Sequence, residues 1–401
     1  MSNAIFPGNR LQVLDPPIPG VDPHPRQDFS RIPHSFYGTA CGTMIKGSSK
    51  MKSLTPALDA AFQQIYAADD WQGLAAAAEQ FFNSSAATRD TCDNYFENFS
   101  TLWMRSLHGQ KYDRAESLWE NSLRPVVAWE QANPGRFLHK GTAFYFWAVT
   151  ALLRGDIDRG YLLMHQGVEE DKRSWGVDLT PTKPGFALVS IDAENPDQFF
   201  RQWVLDQAAF LDHLLGTYSA RHSRSLGFFE FRRRFLSSTT NLDTLFLFAH
   251  SVARLMQLKK VPRYSLQNPF AAQLEANILF DIALVIDAAI KEKNPGATLF
   301  SDQAAFLLRT SGSTLTVGHL TNHIQTAFGN FDAALKGILD GTFRLPGGVP
   351  LNRFERDVAL AYGVRNRGAR DVSSSTMVWQ RFDDIQETLF NVLFGTVDYL
   401  Y

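Results

Sequence analysis

The chain has 401 residues, of which 45% are hydrophobic and 20% are charged. This composition is typical of a globular protein with a substantial core, and the length predicts two or three domains. The formal net charge of -2 excludes a global positive field that would attract nucleic acid. Any RNA-binding surface must therefore be a local patch.

The cysteine content and the apolar segments predict a cytoplasmic protein without a membrane partner. Cys41 and Cys92 are too few for a disulfide framework, and neither has the spacing of a zinc site. The first residues have no apolar stretch of signal-peptide length. Residues 278–290 are apolar but are interrupted by Asp281 and Asp287, so we expect no membrane span there.

The N-terminal third divides into an irregular segment and a helical segment. Residues 1–52 are rich in Pro and Gly, which predicts an irregular arm, a segment packed on a neighbour or a flexible tail. From Leu54 apolar residues recur at helical spacing. Thr55 and Pro56 have the order of a helix cap followed by a first-turn proline.

Similar turns recur between the next apolar segments. Gly109 and Gly155 each begin a turn that leads to Asp-Arg and then to a small residue, Ala115 or Gly160, and residues 69–74 are a weaker copy. The small residue permits close approach of two helices. This pattern resembles the helix-turn-helix of tetratricopeptide repeats, which implies a helical-hairpin domain over residues 53–175 that binds a protein or small-molecule trigger. A helical bundle without true repeats is the alternative.

Residues 175–197 contain several Pro and Gly and predict a boundary between the two halves. No later segment alternates with period two, so the sequence predicts an all-α protein whose second part is a helical bundle over residues 190–401. The helices predicted after the boundary cover residues 198–218, 242–258, 273–290, 302–308, 316–339, 351–365 and 375–400.

A polar segment, residues 365–370, follows the first of the last two predicted helices and is called the corner below. An apolar stripe that ends at Val364 leads into Arg365-Asn366-Arg367-Gly368-Ala369-Arg370. The final helix has its own apolar face between Val378 and Val397, which is either bundle core or a dimer seam.

This corner resembles the motif of HEPN-superfamily ribonucleases, in which Arg and a polar residue precede a catalytic His at the end of an apolar helix. Arg365, Asn366 and the next three residues match, but the histidine position is Arg370. The resemblance implies a cytoplasmic homodimer of a bacterial toxin or anti-phage system. It also implies RNA cleavage without metal or cofactor in a cleft shared by two copies, with Arg365 facing the phosphate, Asn366 orienting its neighbours and Arg367 binding RNA.

The departure at Arg370 bears on activity. Metal-independent RNA cleavage uses the 2′-hydroxyl as nucleophile and needs a group that can take and return a proton, which histidine does near neutral pH. Arginine stays protonated and can bind phosphate only. Loss of a positioned acid-base group costs about 10²–10⁴-fold in rate, so we expect this chain to be nearly inactive.

The same residues fit two alternatives. In the first, the corner belongs to a non-catalytic module that binds RNA, a nucleotide or a protein. In the second, it is an ordinary helix end, in which Arg365, Arg367 and Arg370 complement the helix dipole and Gly368 stops the helix.

A second basic segment is a further RNA-binding candidate. Arg232, Arg233 and Arg234 alternate with aromatic residues, as in surfaces that hold RNA backbone and stack bases. The alternative is a helix whose Phe residues face the core and whose Arg residues are solvated. His319 and His323 share a helical face but lack the glutamate of a zinc motif, so no metal site is predicted. The remaining histidines considered stand alone in sequence: His139, His165, His213 and His250.

Overall fold

The computed structural model of the chain describes residues 51–85, 87–176, 184–238, 241–261 and 269–401. It is 76% helical, which confirms the predicted all-α class. Within the described residues, regular strands are limited to β1 (Arg344–Leu345) and β2 (Val349–Pro350), which pair antiparallel. The described residues all belong to one compact unit.

The first helices follow one another through short turns, as the repeated Gly/Asp segments predict. The side chain of Thr55 accepts a hydrogen bond from the backbone N–H of Leu58, and Pro56 is the first helical residue, as predicted. The helices are α1 (Pro56–Ala68), α2 (Leu74–Asn83), α3 (Arg89–Glu97), α4 (Ser100–His108), α5 (Tyr112–Ala132), α6 (Gly141–Arg154) and α7 (Ile157–Trp175).

The closest approach in this part occurs between α6 and α7, at the small residue that the repeat pattern contains. A Cβ added to Gly160 would overlap the side chain of Leu152, which is itself buried. Gly155 ends α6 in the left-handed conformation with φ 89°, which glycine adopts without strain. The close contact between α6 and α7 requires glycine at position 160, and the left-handed turn between them favours glycine at position 155.

We expect Gly160→Ala to lower the free energy of unfolding by about 1–3 kcal/mol, because the added methyl group overpacks the contact between α6 and α7. Chemical denaturation measures the change. Gly216→Ala is the matched control, since a Cβ at Gly216 meets nothing within 4 Å and alanine favours helix. Equal stability of the Gly160→Ala variant and the wild-type chain would contradict the tight contact.

The second part of the chain contains ten further α-helices within the described residues. They are α8 (Pro184–Val189), α9 (Arg201–His222), α10 (Phe228–Phe231), α11 (Leu242–Leu258), α12 (Pro269–Lys293), α13 (Phe300–Thr310), α14 (Gln325–Ala327), α15 (Phe331–Leu339), α16 (Arg353–Ser373) and α17 (Thr376–Leu400). Short π-helical segments cover Arg232–Leu236 and His319–Ile324, and a 3-10 turn covers Pro346–Gly348.

One predicted helix is wrong. Residues 316–339 are not one helix: a π-helical segment and α14 are followed by a break at residues 328–330, after which Asn330 caps α15 by accepting a hydrogen bond from Ala333 N–H. The helix predicted over residues 351–365 is present as the first segment of α16, which departs from helical geometry at Gly368.

Helix α12 lies at the centre of the second part and packs against α11, α16 and α17. It has 25 residues, longer than predicted, and by length and composition it is the one described helix that could cross a membrane. Half of its apolar window is buried by the protein's own helices. Asp281 and Asp287 form ion pairs with Arg254 and Arg365, as in the core helix of a soluble protein.

The apolar face of α17 belongs to the core. Its side chains are at most 2% exposed in the single chain: Val378, Phe382, Ile385, Leu389, Val392 and Leu393. This settles the alternative left open by the sequence, because a face already covered by the same chain cannot also be a dimer seam.

The predicted boundary between the halves is partly ordered helix. Residues 177–183 lie outside the described residues, but Pro184 begins α8, and Phe186, Leu188 and Val189 are buried against the neighbouring helices. The predicted N-terminal arm also lies outside the described residues, except for its last two. Of these, Lys52 bonds through its backbone N–H to the Asn98 side chain.

Candidate functional site

The corner formed by residues 365–370 lies within the last turns of α16. Gly368 has φ 73° and ψ 170°, a non-helical conformation that glycine adopts without strain and that divides α16 into two helical segments. The helix that begins at Arg353 therefore stops at Gly368, as the interpretation of this glycine as a helix stop predicts. Arg370 follows in the resumed helix, and its side chain lies outside the described residues.

An open cavity of about 410 Å³ lies beside this corner. Asn366 and Arg367 contribute to it from α16, together with Tyr362 and Gly363 one turn earlier. The opposite wall comes from the broken segment before α15 and consists of Thr321, Gln325, Thr326, Phe328 and Gly329. Hydroxyl, amide and guanidinium groups thus converge on one cavity.

A close contact holds the two walls together. A Cβ at Gly363 would overlap the ring of Phe328, so the aromatic ring packs directly on the backbone of α16. Phe328 is buried, and it lies at the break that separates α14 from α15. The break at residues 328–330 thus coincides with this contact. The Phe328 ring that packs on α16 also lines the cavity.

Tyr362 connects the walls by polar contacts. Its hydroxyl donates to the Oε1 atom of Gln325 over 3.0 Å. Burial raises the pKa of the Tyr362 phenol above its ordinary value, and a hydrogen bond with Asn366 opposes that rise. The phenol stays protonated at neutral pH and holds Asn366 and Gln325 at the cavity. The role expected of Asn366, which is to orient its neighbours, stays a prediction.

Arg367 is the cation of the cavity wall. Its nearest carboxylate is Asp371, one turn later in the same helix, with 3.8 Å between Nη1 and Oδ2. Both side chains are partly exposed, and exposed pairs of this kind contribute little energy. Much of the hydrogen-bonding capacity of Arg367 is thus open to an anionic ligand.

Arg365 is expected to face the phosphate, but its side chain contacts Asp287 and does not reach the cavity. Its Nε and Nη2 atoms lie 3.0 and 2.9 Å from the Oδ2 atom of Asp287 in α12, and it does not line the cavity. A guanidinium has five N–H donors, so Asp287 leaves others unused, and the Arg365 side chain is 30% exposed. Asp287 fixes the direction of Arg365 and keeps part of it accessible.

The helix that follows the corner is anchored to α15. The Asp332 carboxylate accepts hydrogen bonds from Ser375 and Thr376, and the Ser375 side chain caps α17 by accepting from Val378 N–H. These bonds hold the start of α17, which follows the corner, against α15. Helix α15 in turn adjoins one wall of the cavity.

The second basic segment lies apart from the cavity. Arg232 pairs with Asp192 and Glu194, while Arg233 and Arg234 both pair with Glu230. None of these arginines lines the cavity. Phe231 and Phe235 are buried, as the alternative of core-facing rings predicts. Arg232 differs from the solvated arginines of that alternative, because its side chain is only 15% exposed.

Sequence reasoning did not find the second wall of the cavity. Thr321, Gln325 and Thr326 belong to no motif, and only the tertiary fold brings them opposite Asn366. His319 bonds to Thr316 rather than reaching the cavity. No protein-family model, no curated protein and no solved structure matches this chain.

Proposed function

We propose that the cavity beside the α16 corner binds an RNA phosphate, and that the chain is a HEPN-type, metal-independent endoribonuclease of a bacterial toxin or anti-phage system, disabled at Arg370. The observation that supports this proposal most is the convergence of Arg367 and Asn366 on a polar cavity, with the accessible part of Arg365 on the same helix end.

Each group has a chemical task in this proposal. Arg367 binds the phosphate by charge-assisted hydrogen bonds, because its own ion pair is weak and partly exposed. Asn366 and Gln325, linked through Tyr362, offer neutral donors and acceptors to the nucleotide. Arg365, directed by Asp287, stabilises charge on the phosphate oxygens of an RNA that spans two copies of the chain.

The same geometry favours a second candidate, a non-catalytic RNA-binding module. Among the described residues that line the cavity there is no histidine, and Tyr362 is held as a protonated phenol. A cavity of this kind binds phosphate but has no group that exchanges a proton near neutral pH. The two candidates share the binding step and differ in whether a histidine at position 370 produces cleavage.

We expect Arg367→Ala to weaken binding of single-stranded RNA by about tenfold or more, because a hydrogen-bonded contact with a charged group is lost. Fluorescence anisotropy with a labelled oligonucleotide measures the dissociation constant. The slope of log affinity against log salt should fall by about one unit, since one phosphate contact is removed.

Arg124→Ala is the matched control, because it removes the same charge from an exposed position on α5 where the side chain pairs with Glu120. Its RNA affinity should equal that of the wild-type chain. Equal losses in both variants would show that binding depends on overall charge, and unchanged affinity in the Arg367→Ala variant would refute a phosphate contact at the cavity.

A further inference from the structure

Three metal-ligating side chains from two helices meet on the surface far along the chain from the α16 corner. The Nε2 atom of His165 in α7 lies 3.0 Å from the Oδ1 atom of Asp243 in α11. Glu169 lies one turn after His165 on the same face of α7, and ligand atoms of the three residues all lie within 4.8 Å of one another. The sequence alone treats His165 as an isolated histidine, because its partner comes from the other half of the chain.

The His165 ring is oriented by packing. Phe246 meets it edge to face, with 4.9 Å between the ring centres. Phe246 is buried and lies one turn after Asp243, so the residue that orients the imidazole belongs to the same helix as the carboxylate that meets it. This arrangement directs Nε2 toward Asp243 and Glu169.

A comparison pair lies on the same two helices. Asp158 and His250 repeat the His–Asp contact two helical turns away, with the residue types exchanged between α7 and α11 and 2.8 Å between Nε2 and Oδ1. Here the third neighbour is Arg254, whose Nε lies 3.6 Å from Asp158. A guanidinium excludes a cation, so only the pair at His165 has a complete set of donors.

We propose that His165, Glu169 and Asp243 bind Zn²⁺ and clamp α7 to α11. One imidazole and two carboxylates with an open fourth position are a donor set that zinc accepts at about 2.0–2.2 Å from each ligand atom. Magnesium and calcium prefer all-oxygen sites with more ligands, so the imidazole favours zinc. This inference does not rest on the proposed RNA-binding function.

Zinc binding must displace two existing contacts. One is the hydrogen bond between His165 Nε2 and Asp243 Oδ1, whose proton leaves as the metal takes the nitrogen lone pair. The other is the contact between Glu169 and Lys172. The Lys172 ammonium lies 2.6 Å from the Oε1 atom of Glu169 in an exposed pair. Such pairs contribute little, so the metal displaces the ammonium readily, but Lys172 still competes for the carboxylate. Replacing Lys172 by a neutral residue should therefore tighten zinc binding rather than weaken it.

Isothermal titration of the untagged full chain with Zn²⁺ tests the proposal. We expect one saturable site, no comparable heat with Mg²⁺, and a rise in melting temperature with zinc, because the metal binds the folded state only. His165→Gln, Glu169→Gln and Asp243→Asn should each weaken zinc binding by about tenfold or more. Lys172→Met should strengthen it.

Asp158→Asn is the matched control, since it changes the equivalent aspartate of the comparison pair and should leave zinc affinity unchanged. The proposal is overturned if the wild-type chain shows no saturable zinc binding. It is equally overturned if folded His165→Gln and Asp243→Asn variants bind zinc as the wild-type chain does, or if Asp158→Asn weakens binding as much as they do.

Discussion

Arg370→His should turn an RNA-binding chain into an RNA-cleaving one. A histidine at this position supplies the group that takes the proton of the 2′-hydroxyl and returns one to the leaving oxygen, and a positioned acid-base group is worth about 10²–10⁴-fold in rate. A labelled RNA panel, analysed by gel for fragments with cyclic phosphate ends, measures the gain. Expression of the variant should also slow growth.

Two further variants separate this mechanism from an artefact. Arg124→His introduces the same residue on the exposed face of α5 and should stay inactive. Arg365→Ala added to Arg370→His should abolish the gained activity, because the phosphate loses the guanidinium that Asp287 directs. If folded, RNA-binding Arg370→His protein cleaves nothing, the ribonuclease proposal fails and the non-catalytic module remains.

The second large effect concerns a buried ionic cluster in the first half of the chain. His139 is almost fully buried, and its Nδ1 and Nε2 atoms lie 2.7 Å from Asp93 and 2.8 Å from Asp171. His139→Gln should lower the free energy of unfolding at pH 7 by about 3–5 kcal/mol, because two partly buried carboxylates lose the buried cation that they share. Urea denaturation measures the loss, and His213→Gln, at an exposed histidine of α9, is the matched control.

The same cluster predicts a pH dependence. Burial alone would lower the pKa of His139, but hydrogen bonds with Asp171 and Asp93 outweigh burial and raise it from 6.5 to about 9. A raised pKa means that the folded chain binds the proton more tightly, so this stabilisation is complete below about pH 6.5 and is lost as the pH rises through about 9. The stability difference between wild type and His139→Gln should shrink over that interval. A constant difference from pH 6 to pH 9.5 would contradict a charged His139.

Cys92 lies in the same cluster, and its chemistry is limited by its surroundings. Burial, reinforced by Asp93, raises the pKa of the Cys92 thiol to about 12. The thiol therefore stays protonated at neutral pH and behaves as a small core residue, because burial and Asp93 outweigh the nearby cation of Lys140.

Periodicity was sufficient for most helices and insufficient where tertiary contacts override local preference. The spacing of apolar residues predicts the bounds of α11 and α17 closely. It fails at residues 316–339, where the chain breaks at Phe328 and the Phe328 ring packs on Gly363. No local pattern predicts that contact, since its two residues are distant in sequence.

The candidate site was predictable only in part for the same reason. The Arg-Asn motif identifies Asn366 and Arg367, which line the cavity, because all members of the motif lie on one helix end. Gln325 and Asp287 come from distant segments, and their contacts with Tyr362 and Arg365 appear only in the fold. Likewise, the partners of His139 and His165 are distant in sequence.

The central claim, that the α16 corner holds an RNA phosphodiester, is tested most directly by a crystal structure of the chain with a short 2′-O-methyl RNA. We expect a phosphate in the cavity within hydrogen-bond distance of the Arg367 guanidinium, with Asn366 in contact with the same nucleotide. RNA bound elsewhere, with the cavity holding only solvent and Arg367 still directed at Asp371, would contradict the claim.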